Sequence, residues 1–285
     1  MMKLYAPSTI KEIKDRYGFK LSKSLGQNFL TDKNIIDKII AATEITDEDL
    51  VIEIGPGIGV LTYEAAQRAK QVTAIEIDKN LIPILEDTLH DFDNVDIVNQ
   101  DVLKTDLNRI IDDSGCRSAK IIGNLPYYIT TPIIMAILES GVHADSITIM
   151  MQKEVADRIK SQPGSKVYGA LSVAVQYYCT VQTVAVVPKE VFFPVPKVDS
   201  AVLRLDIRKD KPVELINERM FFRCIKAGFG QRRKTLSNSL MGIGDVTKEE
   251  VKDCLSHAGI DEKRRAETLS LDEFASLANY FSKRE

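Results

Sequence analysis

The sequence predicts an α/β protein, a doubly wound parallel sheet followed by a smaller all-α domain at the C-terminus. Between Leu50 and Met151 short apolar, β-rich runs alternate with helix-compatible stretches, the pattern of parallel strands joined by crossover helices. A glycine-rich turn, Gly55-Pro56-Gly57-Ile58-Gly59, directly follows the first of those runs. Beyond Arg208-Lys209-Asp210-Lys211-Pro212 the periodicity becomes helical.

The first strand is expected at Leu50–Ile54, where Val51-Ile52-Glu53-Ile54 is apolar enough for a strand covered on both faces. Gln71–Ile77, Val95–Asn99, Ala119–Gly123 and Ser146–Met151 are the next expected strands, with helical segments such as Val60–Arg68 and Lys79–Leu89 among the first four. A helix near Lys153–Ile159, a loop at Gln162-Pro163-Gly164-Ser165 and a helix around Leu171–Cys179 follow. Two later β-like runs, Val181–Val187 and Ser200–Ile207, are joined by Val191-Phe192-Phe193-Pro194-Val195-Pro196 and suit an antiparallel pair at the sheet edge. In the helical tail, Thr247-x-x-Glu250 and Ser270-x-x-Glu273 both fit capping boxes. The domain boundary is placed near residue 210, giving 1–210 with a basic N-terminal arm and 211–285 as the helical domain.

The chain has 285 residues, 44% hydrophobic and 28% charged, the composition of a soluble globular protein. No apolar run approaches the roughly 18 residues of a membrane span. The start carries Lys3, Lys11, Lys14, Arg16 and Lys20 among polar residues and lacks the apolar stretch of a secretory signal. Glu12 and Asp15 argue against a mitochondrial presequence, so a cytoplasmic protein is expected. Cys116, Cys179, Cys224 and Cys254 stand far apart with no Cys-x-x-Cys pair, and there are only 3 histidines, so no metal site is expected. A reducing compartment fits such scattered thiols.

Charge is distributed unevenly. Residues 41–150 hold 7 Lys/Arg against 19 Asp/Glu, whereas residues 1–30 hold 6 against 2 and residues 201–240 hold 10 against 4. An acidic sheet domain flanked by basic segments suits a polyanion gripped from the sides, although charge runs are commonly solvated faces. Phe229-Gly230-Gln231-Arg232-Arg233-Lys234-Thr235 places Arg232, Arg233 and Lys234 together as a candidate grip on an RNA backbone.

The glycine turn lets a ligand approach the backbone with a helix start behind it. A dinucleotide fingerprint would need glycine where Val60 stands, and the turn has no Gly-Lys-Ser/Thr ending of a phosphate-binding loop. Glu53 preceding the turn makes Glu-Ile-Gly-Pro-Gly-Ile-Gly, the pattern of an S-adenosylmethionine-dependent methyltransferase with a Rossmann-like class I sheet. That cofactor carries adenosine without phosphate, so nearby carboxylates are tolerated. Gly55 and Gly57 are candidate contacts to it. Glu76, 21 residues after Gly55, is the candidate acceptor for both ribose hydroxyls, with Asp78 as competitor. Asp101, at the end of the third strand, is the candidate for the cofactor's adenine amine, with Asp106 a rival that would otherwise cap a helix. Asn28 in Gln27-Asn28-Phe29-Leu30 can reach the cofactor from the arm, or simply belong to a polar loop.

Gly123-Asn124-Leu125-Pro126-Tyr127-Tyr128 suits the amine of a target adenine. The side-chain oxygen of Asn124 and a main-chain carbonyl beside Pro126, that of Leu125, can both accept from an NH2 group, and Tyr127 can lie against a flipped-out base. Phe192, or Phe193, is a candidate second stacking face, with a core phenylalanine as the plain reading. Methylation at cytosine C5 would need a cysteine nucleophile, and no cysteine lies near 123–128.

These blocks, with Leu25-Gly26-Gln27-Asn28-Phe29-Leu30, Phe192-x-Pro194-x-Pro196-Lys197-Val198-Asp199-Ser200 and Phe229–Leu240, occur in the order of one family. From about Ser24 to Phe281 the chain closely resembles the bacterial small-subunit ribosomal RNA adenine dimethyltransferases, the KsgA/RsmA family. The resemblance implies N6,N6-dimethylation of two adjacent adenosines in the 3′-terminal hairpin loop of 16S rRNA within an assembling small subunit, by a monomer whose C-terminal helical domain contacts RNA. It also implies S-adenosylmethionine contacts at Asn28, Leu30, Gly55, Glu76, Asp101 and Asn124. The nearest rival is the 23S rRNA adenine methyltransferase of macrolide resistance, from which the Leu-Gly-Gln-Asn-Phe-Leu start, Tyr127-Tyr128 and the 229–240 block distinguish it. A non-catalytic ribosome assembly factor is a second rival. A nicotinamide-dependent oxidoreductase is disfavoured by Val60.

Overall fold

The structure is a computed structural model that describes residues 3–19, 21–22, 25–244 and 246–284. Lys20 and Ser24, at the edges of the N-terminal readings above, lie outside the described residues. The elements in the first part of the chain are α1 (Pro7–Tyr17), β1 (Phe29–Leu30), α2 (Lys33–Thr43), β2 (Asp49–Ile54), α3 (Val60–Ala66), β3 (Gln71–Glu76), α4 (Ile82–Thr88) and β4 (Val95–Asn99). They continue with α5 (Leu107–Asp113), β5 (Ser118–Asn124), α6 (Thr130–Glu139), β6 (Ser146–Gln152), α7 (Lys153–Ile159), α8 (Ala170–Tyr178), β7 (Cys179–Val187), β8 (Phe192–Phe193) and β9 (Ser200–Ile207). The remainder is helical: α9 (Glu218–Gly230), α10 (Leu236–Ser239), α11 (Lys248–His257) and α12 (Leu271–Ser282).

The main sheet runs β4-β3-β2-β5-β6-β9-β7. The pairs β2·β3, β2·β5, β3·β4 and β5·β6 are parallel, and β9 lies antiparallel to β6, so the late runs extend one edge. Every residue of β2 is buried, as a strand covered on both faces requires. Two expected helices are shorter than their patterns. Arg68 N donates to the Ala65 carbonyl at 2.9 Å, a tight turn after α3. Leu81 N donates to the Asp78 carbonyl at 2.9 Å, so residues 78–81 form a turn before α4. Pro83 then sits in the first turn of that helix, where its missing N–H costs nothing.

The chain divides into two compact units. The first comprises residues up to Ala156 with Val181–Ile207. Its core includes Ile35, Ile36, Ile39 and Ile40, on one face of α2, with Ile10 and Ile13 of α1 and Phe29 and Leu30 of β1. The second comprises Asp157–Thr180 with residues from Arg208 onward. Asp157–Thr180 falls here, although the sequence reading places everything up to 210 in the first domain. The reason is aromatic: Tyr177 of α8 packs on Phe221 and Phe222 of α9 at 5.0 and 5.7 Å between centroids. The hydroxyls of Tyr177 and Tyr178 both donate to the Glu218 carboxylate at 2.9 Å. Helices α11 and α12 start with the two expected capping boxes, Thr247/Glu250 and Ser270/Glu273. Among the described residues no helix is long and apolar enough to cross a membrane.

Candidate active site beyond the central strands

Strands β2 and β5 are neighbours whose chains continue to opposite halves of the sheet, so a crevice opens beyond their carboxyl ends. Ile54 lies opposite Gly123 in the ladder, and a Cβ at 123 would come within 2.7 Å of the Ile54 carbonyl oxygen. Glycine there lets the strands close up just before Gly55 and Asn124. Gly57 has φ +62°, and a Cβ on it would meet the Phe29 ring at 2.9 Å. The turn therefore needs glycine both for its backbone and for the approach of the arm. Asn28, Leu30, Gly55, Gly57, Glu76, Asp101 and Asn124, the residues assigned to cofactor contact from the sequence, all line this cleft, as does Pro126.

Glu76 is the last residue of β3 and is 5% exposed. Its oxygens accept from Gly57 N at 3.3 Å and Asp78 N at 2.8 Å. Burial pushes its carboxyl up to about 7 against the lowering effect of those amides. Asp78, the competitor, is already engaged. Its Oδ1 accepts from Asn80 N and Nδ2 at 3.0 and 2.8 Å, and its Oδ2 from Gln27 Nε2 at 2.8 Å. Strand alternation leaves the two carboxylates equivalent; the turn after β3 separates them. Strand β4 ends at Asn99, so Asp101 stands two residues beyond it instead of ending the strand. Asp101 caps a short turn through Leu103 N at 3.0 Å and lines the cleft. Asp106 caps α5 through Arg109 N at 3.0 Å and lines a separate hollow.

The side chain of Asn124 is oriented by the arm. Its Nδ2 donates to the Asn28 carbonyl at 2.8 Å. A carbonyl can only accept, so this bond commits the amide nitrogen and leaves Oδ1 as an acceptor. Leu125 N donates to the Met150 carbonyl at 3.2 Å, and the leucine side chain is buried. The Pro126 carbonyl accepts from Ile129 N at 3.1 Å and Thr130 Oγ1 at 3.0 Å. Tyr127 is half-buried, its hydroxyl 2.7 Å from Ser200 Oγ, and burial raises its pKa. Tyr128, by contrast, is 61% exposed and lines the cleft.

Phe192 does not fit its expected place as a stacking face. It is 3% exposed and pairs with Leu30 in the two-stranded β1·β8 ribbon, within the core. Alternation along β8 turns Phe192 inward and Phe193 outward, so the plain reading of a core phenylalanine describes it. In the second unit, Arg232, Arg233 and Lys234 are exposed in the turn after α9. Arg232 Nη2 is nevertheless occupied by the Lys166 and Tyr168 carbonyls at 2.8 and 3.2 Å and by Glu267 at 3.6 Å.

Glu53, quoted in the glycine motif without a role of its own, also lines the cleft. It is 1% exposed, accepts from Thr62 Oγ1 at 2.5 Å, and is pushed up to about 8 by burial. Gln27 and Tyr128 are further lining residues without an assigned role. The doubled amide at 27–28 and the doubled tyrosine at 127–128 were the available signals. Among the described lining residues none is Lys, Arg or His, while Glu53, Glu76 and Asp101 are acidic. A lining without a cation gives a phosphate no charged partner and does not repel a sulfonium, so it fits S-adenosylmethionine and not a dinucleotide.

Residues 18–283 match the family model described as ribosomal RNA adenine dimethylase. The chain is 53% identical over 280 residues to the ribosomal RNA small subunit methyltransferase A of Clostridioides difficile, covering 98% of this chain and 97% of the relative. The protein of that name from Bacillus pumilus is 53% identical over 282 residues, with 97% of each chain covered. Among solved structures, a dimethyladenosine transferase from Plasmodium falciparum is similar with a TM-score of 0.77 and 26% identity, covering 90% of this chain and 98% of its own. The 23S rRNA methyltransferase ErmE is similar with a TM-score of 0.67 and 28% identity, covering 89% of this chain and 99% of its own. The sheet is that of the class I S-adenosylmethionine-dependent methyltransferases. A match over nearly its whole length makes this chain a member of the ribosomal RNA adenine dimethylase family.

Proposed function

We propose that this enzyme dimethylates N6 of two adjacent adenosines in the 3′-terminal hairpin loop of 16S rRNA, in the cytoplasm and on an assembling small subunit, acting as a monomer. It is an S-adenosylmethionine-dependent rRNA adenine dimethyltransferase. The orientation of the Asn124 amide carries this reading: its nitrogen is committed to the Asn28 carbonyl, so its oxygen is the group offered to a target amine. The 53% identity to small-subunit enzymes, against 28% to ErmE, favours 16S over 23S rRNA.

Glu76 would hold the ribose hydroxyls of the cofactor, Asp101 its adenine amine, and Asn28, Leu30, Gly55 and Gly57 the remaining walls. When bound, the cofactor supplies a methyl group made electrophilic by its sulfonium. The N6 lone pair of adenine is delocalised into its ring and is a weak nucleophile. Asn124 Oδ1 and the Leu125 carbonyl accept from the two N6 hydrogens, orient the amine and stabilise the positive charge that grows on it. The Pro126 carbonyl is already engaged within its own turn, which favours Leu125 for this task. Neither oxygen is basic enough to remove a proton, and none is required, because N6 becomes acidic once the methyl has bonded. Tyr127 would stack on the extruded base.

Immature small subunits and naked large-subunit RNA, each offered with labelled S-adenosylmethionine, test the proposal. Label is expected in the small-subunit rRNA alone. Label confined to large-subunit RNA would assign the macrolide-resistance activity instead, and ribosome binding without any label would point to an assembly factor.

A further inference from the structure

We propose that Ser200 is a positioning residue for target recognition, its hydroxyl fixing the position of the Tyr127 ring against which the extruded adenine is read. The inference rests on the stacking role given to Tyr127 above and adds the residue that makes that ring a defined surface.

Stacking alone needs a ring and no hydroxyl. Phenylalanine at 127 would offer the same π-face, with the far end of the ring unanchored. Here the hydroxyl is tied, 2.7 Å from Ser200 Oγ and across 73 residues of sequence. Ser200 is a firm anchor. It is fully buried, begins β9 and lies opposite Gln152 in the β6·β9 ladder. The residue before it is held twice, the Asp199 carbonyl accepting from Lys153 N at 3.0 Å and its Oδ1 from Lys189 N at 3.1 Å. The loop after β5 therefore takes the setting of its ring from the strand that closes the Phe192–Ser200 connector. A buried serine hydroxyl is costly without a partner, so each member of the pair requires the other.

That mutual requirement supplies the test. Ser200→Ala leaves the tyrosine hydroxyl without its partner, Tyr127→Phe does the same to the serine, and the double variant leaves neither behind. Turnover on immature small subunits, KM for those subunits, cofactor affinity by calorimetry and Tm are measured for all three and for Ser200→Thr. Each single variant is expected to lower kcat about tenfold, the order of one net hydrogen bond, with cofactor affinity within about twofold of wild type. The double variant is expected to regain Tm without regaining kcat, and Ser200→Thr, which keeps the hydroxyl, to turn over near the wild-type rate. Wild-type kcat in Ser200→Ala, losses that multiply to about a hundredfold in the double variant, or kcat recovering together with Tm would each overturn the inference. Failure of the wild-type protein itself to methylate the subunits would instead refute the functional reading, and the inference with it.

Discussion

Gln27 Nε2 donates to Asp78 Oδ2 at 2.8 Å, fastening the arm before β1 to the turn after β3. The other end of the same side chain, Oε1, accepts from Ser22 N at 2.8 Å, so the amide is satisfied on both sides. Asp78 is thereby committed to the arm and Glu76 is left facing the cleft. Hydrogen bonds to charged groups contribute about 1.5–3 kcal/mol. Gln27→Ala is therefore expected to weaken S-adenosylmethionine binding at least tenfold in calorimetry, and Gln27→Glu, which sets a second carboxylate against Asp78, to weaken it more. Affinity unchanged in both variants would show that the arm does not hold the cofactor.

The expected strands and the glycine turn were legible because each depends on a local pattern: apolar runs of strand length, then glycine where the backbone must turn tightly. The positions of Asn124, Glu76 and Gly55 on the cleft were legible for the same reason, as each stands at or just past the end of such a run. Other features depend on partners far along the chain. Asp78 is engaged by Gln27, 51 residues earlier, and Glu76 is not. Phe192 is drawn inward by pairing with Leu30, which no spacing in the connector reveals. The C-terminal unit takes in Asp157–Thr180 through ring contacts between Tyr177 and α9. Helix α1, with only Ile10 and Ile13 buried among polar residues, has too weak a stripe to be read from sequence.

Asn124 tests the chemistry most directly. Its Oδ1 is assigned to the target amine, so Asn124→Ala removes an interaction that strengthens as charge grows on N6. Loss of one such preorganised acceptor typically costs 10²–10³ in kcat. Turnover is expected to fall by about that factor while cofactor affinity changes by less than about threefold. A parallel fall in both quantities would place the amide on the cofactor instead.

Two buried carboxyls give the fold a pH dependence of definite sign. Burial raises Glu53 to about 8 and Glu76 to about 7, both above an ordinary value of 4.5. Each group binds its proton more tightly folded than unfolded. Their contribution to stability is complete below pH 4.5 and is lost as pH rises through 7 and then 8. Denaturant midpoints are expected to fall between pH 5 and 9. Glu53→Gln, which stays neutral and still accepts from Thr62, is expected to flatten the upper part of that fall. A midpoint that climbs over the same range would contradict both assignments.

The basic turn after α9 divides into two kinds of cation. Arg232 is occupied by the Lys166 and Tyr168 carbonyls and by Glu267. Replacing it with alanine would leave those carbonyls without their donor, and its expected effect is a lower Tm with little change in RNA affinity. Arg233 and Lys234 are exposed in the same turn and are the candidates for phosphate contact. Each phosphate neutralised contributes about 0.7–0.9 to the slope of log affinity against log salt. Arg233→Ala with Lys234→Ala is therefore expected to reduce that slope by about 1.5 units on small-subunit RNA, with Tm unchanged. A slope reduced by Arg232→Ala and untouched by the other pair would reverse the division and place the RNA against the arginine that here holds the turn together.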